Sequence, residues 1–427
     1  MYTKIIQYIF TRIKDSNSIK NVISVNFSLY LKLVFQSIYF IILTRVFGPS
    51  NYGSYVGVIA IISFFMPFAS WGGSKILIQK VSRSKILYKE YCGAAILKTL
   101  FFGSTFIIII LLFLHNFPIP KVELKAVFLL ALSNLVFLKI SDIYRDAFLS
   151  VGLIKYTTLL LVLVSANRCF ASVVFLLLIQ TQTLFVWSML YCVSTLITTI
   201  FSTVLAYKLI GLPGINLRKS MNDLRLGFSF SVGVSAESIY NDLDKSMLAQ
   251  LSTVEAAGIY GAAYHVFNVS LVPVQSVLLA SWREFFRQGA CGIKGSLKLC
   301  RKLLPLTLVY SVIAAVGIAI IAPFLPIFIG EEYSDSAVAL IWLAPLIIVK
   351  TFHAFAADVL TGADHQKTRS SIQILIAALN GTLNFFLIPL YSWHGAIWAT
   401  MASELALMIL LWSFIYFHIK RQEKLLD

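Results

Sequence analysis

Long apolar stretches of this chain carry charges that need an explanation. The cations are Lys32, Lys98, Lys139, Arg145, Arg168, Lys245 and Lys350; the acids are Asp142, Asp146, Glu237, Asp242, Asp244, Asp358 and Glu404. A charge at the centre of a bilayer costs roughly 2.5–3.5 kcal/mol on insertion scales, so each must face a partner or a polar cavity. Ser24, Ser28, Lys32 and Gln36 recur every fourth residue and share one helical face. That face reads as the lining of a lumen or as a hydrogen-bonded seam against another helix. Arg168 has Ser165 and Ser172 nearby. Its rigid donor fork suits phosphate; pairing with Asp142 or Asp146 is the alternative. Lys139, Asp142, Arg145 and Asp146 stand close enough along one helix to pair internally. The stretch from Ser231 to Lys245 is the most polar, with Glu237, Asp242 and Asp244 against a single Lys245, beside Ser235, Ser238 and Asn241. Acids among amide and hydroxyl oxygens can hold Na⁺ or a proton; a structural polar seam is the other reading.

Lys32, Arg45, Lys98, Lys139 and Arg168 are therefore the candidate contacts for an anionic substrate, and Glu237, Asp242 and Asp244 the candidate ion-coupling acids. Charges in the first half of the chain are mainly cationic and those in the second mainly anionic, so an anionic ligand is expected against the first half and a coupling cation in the second. Nothing suggests catalysis. His265 and His353 lack a metal-ligand partner four residues on. The five cysteines form no CxxC and read as small packing residues. No GxxxxGK[ST] phosphate loop is present. The expectation is a non-enzymatic protein without cofactor or metal.

Composition says what must position these groups. Of 427 residues, 59% are hydrophobic and 13% charged, about half the charged fraction of a soluble domain. That excludes an ordinary soluble enzyme, a disordered chain and a disulfide scaffold. Apolar runs between charged or Gly/Pro-rich breaks predict about twelve spans, at about 22–44, 55–73, 92–114, 126–148, 157–179, 184–206, 226–250, 257–280, 303–328, 337–360, 371–390 and 395–418. Pro67, Pro273, Pro305, Pro323, Pro326 and Pro345 fall in or beside them and predict kinks or broken helices. The polar N-terminus shows no cleavage site, so the first span is expected to stay.

The chain has 35 Lys and Arg against 19 Asp and Glu, a net charge of +16. About 25 of the positives cluster in alternate breaks and only about 3 in the others, a positive-inside asymmetry that places both termini in the cytoplasm. The basic excess is thus mainly a topology signal, and nucleic acid is not an expected partner. The halves also repeat. Tyr52-Gly53 matches Gly258-Ile259-Tyr260 in position, Gly152 matches Gly362, Asn167 matches Asn380, and Lys208 matches Lys420. Two six-helix lobes of one orientation follow, residues 1–210 and 211–427, with Leu209–Met221 as the linker.

Thr44-Arg45-Val46-Phe47-Gly48-Pro49-Ser50-Asn51-Tyr52-Gly53-Ser54-Tyr55 resembles the stretch after the first span of bacterial polysaccharide transporters. So do Asp244-Lys245-Ser246-Met247-Leu248, Phe328-Ile329-Gly330-Glu331-Glu332-Tyr333 and Ile388-Pro389-Leu390 with His394-Gly395-Ala396. These motifs are similar to those of the O-antigen flippases, within the multidrug/oligosaccharidyl-lipid/polysaccharide exporter superfamily. The resemblance implies an all-α integral membrane protein of about twelve transmembrane helices, in two six-helix lobes forming a V-shaped alternating-access bundle in the bacterial inner membrane. It implies movement of an undecaprenyl-pyrophosphate-linked oligosaccharide from the cytoplasmic to the periplasmic leaflet, driven by H⁺ or Na⁺ antiport. Membrane lipids, a polysaccharide polymerase and a chain-length regulator are the other expected partners. The alternatives are a drug or cation antiporter of the same superfamily and, from another class, a membrane O-antigen polymerase. The polymerase is disfavoured because the expected outside breaks are too short for a sizeable loop. Reporter fusions in the basic breaks near Lys80 and Lys298 are expected to report the cytoplasm, and fusions between His115 and Lys125 the opposite side; the same side for all three would overturn this topology.

Overall fold

The computed structural model describes residues 16–82, 84–214 and 224–423, with side chains except those of 16–26, 226, 229, 230, 232–241, 283 and 423. Ser24, Ser235, Glu237, Ser238 and Asn241, and most of the expected linker, therefore lie outside the described side chains. Among the described residues the chain is helical, without a strand. The helices are α1 (Ser16–Ala69), α2 (Gly73–Val81), α3 (Tyr88–Asn116), α4 (Leu124–Leu132), α5 (Leu138–Val151), α6 (Ile154–Leu178) and α7 (Leu184–Leu209), followed by α8 (Leu224–Leu251), α9 (Val254–Gly289), α10 (Ile293–Ile321), α11 (Leu325–Ile329), α12 (Ser334–Leu343), α13 (Leu346–Gly362) and α14 (Gln366–Glu423).

Among the described residues, eight helical stretches are long and apolar enough to cross a membrane, or nine counting a pair bent by 48°. Two of them, Phe27–Val81 with 55 residues and Gln366–Gln422 with 57, are far longer than one crossing needs. Each breaks at a residue outside helical geometry. In α1 this is Gly48, with φ 64° and ψ 174°; in α14 it is Ser392, with φ 52°. α8 is long enough to span but too polar to qualify by composition, because of its serines and acids. The chain is a multi-pass membrane protein. Prolines break the ninth and tenth expected spans: Pro323 and Pro326 start the short turns after α10, and Pro345 stands at the bend between α12 and α13. α10 begins about ten residues before the expected span because its first turns are amphipathic. Ile293, Leu297 and Cys300 are buried there while Lys294, Lys298 and Arg301 are exposed.

The chain forms two compact units. The first comprises Met1–Ile42, Phe65–Leu112 and Glu123–Val232; the second comprises Leu43–Phe64, Phe113–Val122 and Gly233–Asp427. Leu77, Cys92, Ile143, Phe148 and Leu160 centre the core of the first. Phe285, Cys300, Phe355, Leu360 and Leu411 centre that of the second. Four of the five cysteines are buried, Cys291 being exposed. Many large apolar side chains point outward, among them Phe101, Phe170, Leu177, Val309 and Ile320, as expected where lipid replaces water.

The repeat has physical content. A Cβ on Gly53 would lie 1.5 Å from the carbonyl oxygen of Val254, and one on Gly258 2.0 Å from that of Pro49. The two matched glycines are where two helices of the second unit touch backbone to backbone. The matched asparagines also do equivalent work. Asn167 donates to the Thr198 hydroxyl at 2.8 Å on the next helix, and Asn380 to the Ser403 hydroxyl at 3.2 Å. Gly53→Val and Gly258→Val are each expected to destabilise by about 3 kcal/mol or more, read as a lower thermal midpoint of the detergent-solubilised protein; an unchanged midpoint would remove this contact from the account.

Candidate functional site

Each unit holds its own polar site. In the first, the helix Leu124–Val151 is interrupted by a π turn at Ser133–Phe137. The turn carries Asn134, whose amide donates to the Leu130 carbonyl at 2.8 Å and whose oxygen accepts from the Tyr191 hydroxyl at 2.9 Å. The Thr199 hydroxyl lies within donating distance of the Phe137 carbonyl, 2.8 Å, and of the Thr195 carbonyl in its own helix, 2.9 Å. Tyr191, so fixed, presents its ring to Arg168, whose Cζ lies 4.3 Å from the ring centroid. This is a cation–π contact. It leaves the donor fork available: Nε and Nη2 of Arg168 are buried without a hydrogen-bond partner among the described residues.

Lys32 lies close enough to Arg168, Arg145 and Asp142 for their charges to act on it. Asp142 is already engaged. It pairs with Arg145 at 2.6 Å and Lys139 at 3.7 Å, and Arg145 also reaches Asp146 at 3.2 Å. The four residues of α5 thus compensate one another, as their spacing suggests. Arg168 takes Tyr191 instead of either acid. Lys32 and Arg168 remain without an ion pair among the described residues, an excess of positive charge inside an apolar bundle. Lys98 is buried in α3.

Arg45 belongs to the second unit. Its guanidinium donates to the backbone carbonyls of Ile327 and Phe328 at 2.5 and 2.6 Å, so it caps the end of α11. Of the expected substrate contacts, the structure thus leaves Lys32 and Arg168 in the first unit without an ion pair among the described residues, holds Lys139 in an internal pair and uses Arg45 for a backbone contact.

The second unit builds a longer network from α8, α9, α13 and α14. Lys245 pairs with Asp242 at 2.5 Å and lies 4.3 Å from the ring centroid of Tyr264. Lys350 donates to the Tyr264 hydroxyl at 3.0 Å and pairs with Glu404 at 3.0 Å. His353 Nε2 lies 2.7 Å from the other Glu404 oxygen. Glu404 is fully buried. Asp244, also buried, accepts from the Tyr260 hydroxyl and from the Lys245 amide. Of the expected coupling acids, Asp242 and Asp244 thus stand in one network, while the Glu237 side chain lies outside the described residues. No group of three His, Cys, Asp or Glu among the described residues is placed to hold a metal ion.

Sequence reasoning did not choose Lys350, His353 and Glu404. The available signal was the spacing of Lys350 and His353, one helical turn apart on one face of α13, but Glu404 is about fifty residues away and only packing joins them. Removing one member of a buried pair strands a charge and costs about 3–5 kcal/mol. Glu404→Leu and Lys350→Met are each expected to destabilise by that order, and the double substitution by much less; additive losses in thermal unfolding would show the pair is not coupled.

The sequence family described as polysaccharide biosynthesis protein matches residues 18–282. The fold resembles the inward-facing form of a multidrug resistance MATE family transporter of the MOP superfamily. That match has a TM-score of 0.76 at 12% identity, over 91% of this chain and 96% of that one. It also resembles a MOP superfamily transporter from Pyrococcus furiosus, described as having a binding pocket of reversed polarity that suggests a different function. Here the TM-score is 0.64 at 13% identity, over 93% of this chain and 96% of that one. No curated protein matches the chain.

Proposed function

The chain belongs to the polysaccharide biosynthesis protein family and has the fold of MATE and MOP superfamily transporters, and from that premise we propose that it is a flippase for lipid-linked polysaccharide repeat units. Its substrate is an undecaprenyl-pyrophosphate-linked O-antigen unit, moved from the cytoplasmic to the periplasmic leaflet of the bacterial inner membrane, with both termini cytoplasmic. The halves 1–210 and 211–427 alternate access, and H⁺ or Na⁺ bound at Asp242, Asp244 or Glu237 supplies the drive. A polysaccharide polymerase and a chain-length regulator receive the product.

The observation that carries this reading is the pair Lys32 and Arg168. Neither has an ion pair among the described residues; cations so placed inside apolar helices are costly, and an anionic ligand offsets that cost. The planar fork of Arg168, aimed by Tyr191 but not consumed by it, matches phosphate oxygens. A drug or cation antiporter would need free carboxylates in the first unit, whereas Asp142 and Asp146 are engaged by Arg145 and Lys139.

Deletion in the native host is expected to abolish surface polysaccharide and to accumulate single lipid-linked repeat units on the cytoplasmic leaflet. Accumulation on the periplasmic face would indicate a polymerase instead. Arg168→Gln, losing charge-assisted bonds, is expected to lower transport about tenfold or more, and Lys32→Glu or Arg168→Glu to abolish it; wild-type transport in the charge-swapped variants would sink the reading.

A further inference from the structure

The second unit holds a half-open cavity of about 610 Å³, within the range of about 300–1,000 Å³ usual for ligand sites. Helices α8, α9, α13 and α14 line it. Five charged or titratable side chains reach it, and each has an opposite partner. Asp242 holds Lys245, Lys350 and His353 share Glu404, and Arg369 lies 3.9 Å from Asp358 while donating to Thr361 at 2.8 Å. The wall is therefore charged in detail but nearly neutral in sum, unlike the cationic pair of the first unit.

Apart from Nε of Arg369, which is buried without a hydrogen-bond partner among the described residues, what the wall leaves open is neutral hydrogen-bonding capacity. Asn268, Gln275 and Gln373 line the cavity, and none of the three bonds another described residue. Asn268, Gln275 and Trp282 are seven residues apart, so they form one stripe along α9 facing the cavity. A side-chain amide in a membrane-spanning helix is costly unless something bonds it. Each amide offers both donors and an acceptor, the pattern a sugar hydroxyl can meet from either side. Trp282 is 47% exposed and supplies a flat apolar face with a polar edge, which suits the C–H face of a pyranose ring.

We infer that this cavity is a saccharide subsite: it binds an uncharged polyhydroxyl portion of the transported substrate through Asn268, Gln275, Gln373 and Trp282. The inference rests on the flippase reading and divides the ligand by chemistry. The diphosphate goes to Lys32 and Arg168 in the first unit, and the sugar goes to the amide stripe of the second. Recognition of the sugar then depends on neutral hydrogen bonds, which discriminate hydroxyl arrangement, and not on charge.

The test separates the two parts. Lipid-linked repeat units accumulated by the deletion strain are split by mild acid into free saccharide and lipid diphosphate, and each is titrated against the purified full-length protein by calorimetry. The wild type is expected to bind both. Gln275→Leu with Gln373→Leu is expected to weaken saccharide binding about tenfold or more, with lipid diphosphate affinity within about twofold of wild type. Trp282→Ala gives an independent variant with the same expectation, and Arg168→Gln the reverse pattern. Retained diphosphate binding shows that the cavity variants are folded, and retained saccharide binding that Arg168→Gln is. Saccharide affinity unchanged in both the amide and Trp282 variants would overturn the subsite and leave the flippase reading standing. So would a wild type that binds lipid diphosphate but no saccharide. A deletion strain that accumulates no lipid-linked units would overturn both.

Discussion

An ionised group inside an apolar helix bundle must be given an opposite charge, a polar surface or a ligand, and much of this structure follows from that constraint. Without water, an unpaired charge or dipole keeps its full desolvation cost. The α5 ladder of Lys139, Asp142, Arg145 and Asp146 answers it locally, within one helix. The second unit answers it across helices, with Glu404 between Lys350 and His353. Arg168 answers it with an aromatic ring, and neither it nor Lys32 has an ion pair among the described residues.

The same constraint explains why irregular backbone occurs where it does. The π turn at Ser133–Phe137 carries Asn134, which accepts from the Tyr191 hydroxyl, and Thr199 approaches the Phe137 carbonyl at its end. π turns recur at functional sites because they re-aim one side chain without ending the helix. Here Asn134 holds Tyr191, and Tyr191 in turn faces Arg168.

The units also differ in how they use aromatic groups. Tyr191 presents a ring face to one cation. Tyr264 does more: its ring lies against Lys245 while its hydroxyl accepts from Lys350. One fully buried side chain thereby joins two ion pairs that share no atom, and the cavity forms beside that junction. Pairing of the wall charges leaves the amides of α9 and α14 as most of its open hydrogen-bonding chemistry.

The helical membrane class, the approximate spans and the internal pairing of the α5 charges were legible in the sequence because they depend on local quantities: apolar run length, charge density and spacing along one helix. The matched residues of the repeat were legible as well, although why Gly53 and Gly258 must be glycines is visible only where the two backbones meet. Which charges would be compensated was not legible. Asp242 and Lys245 are neighbours in sequence, but Lys350, His353 and Glu404 are joined only by the packing of α13 against α14, and Arg45 finds its carbonyls some 280 residues away. Periodicity fixes which face of a helix a side chain occupies. Which helix that face meets, and hence whether a buried charge is answered or left for a ligand, is decided by tertiary packing alone.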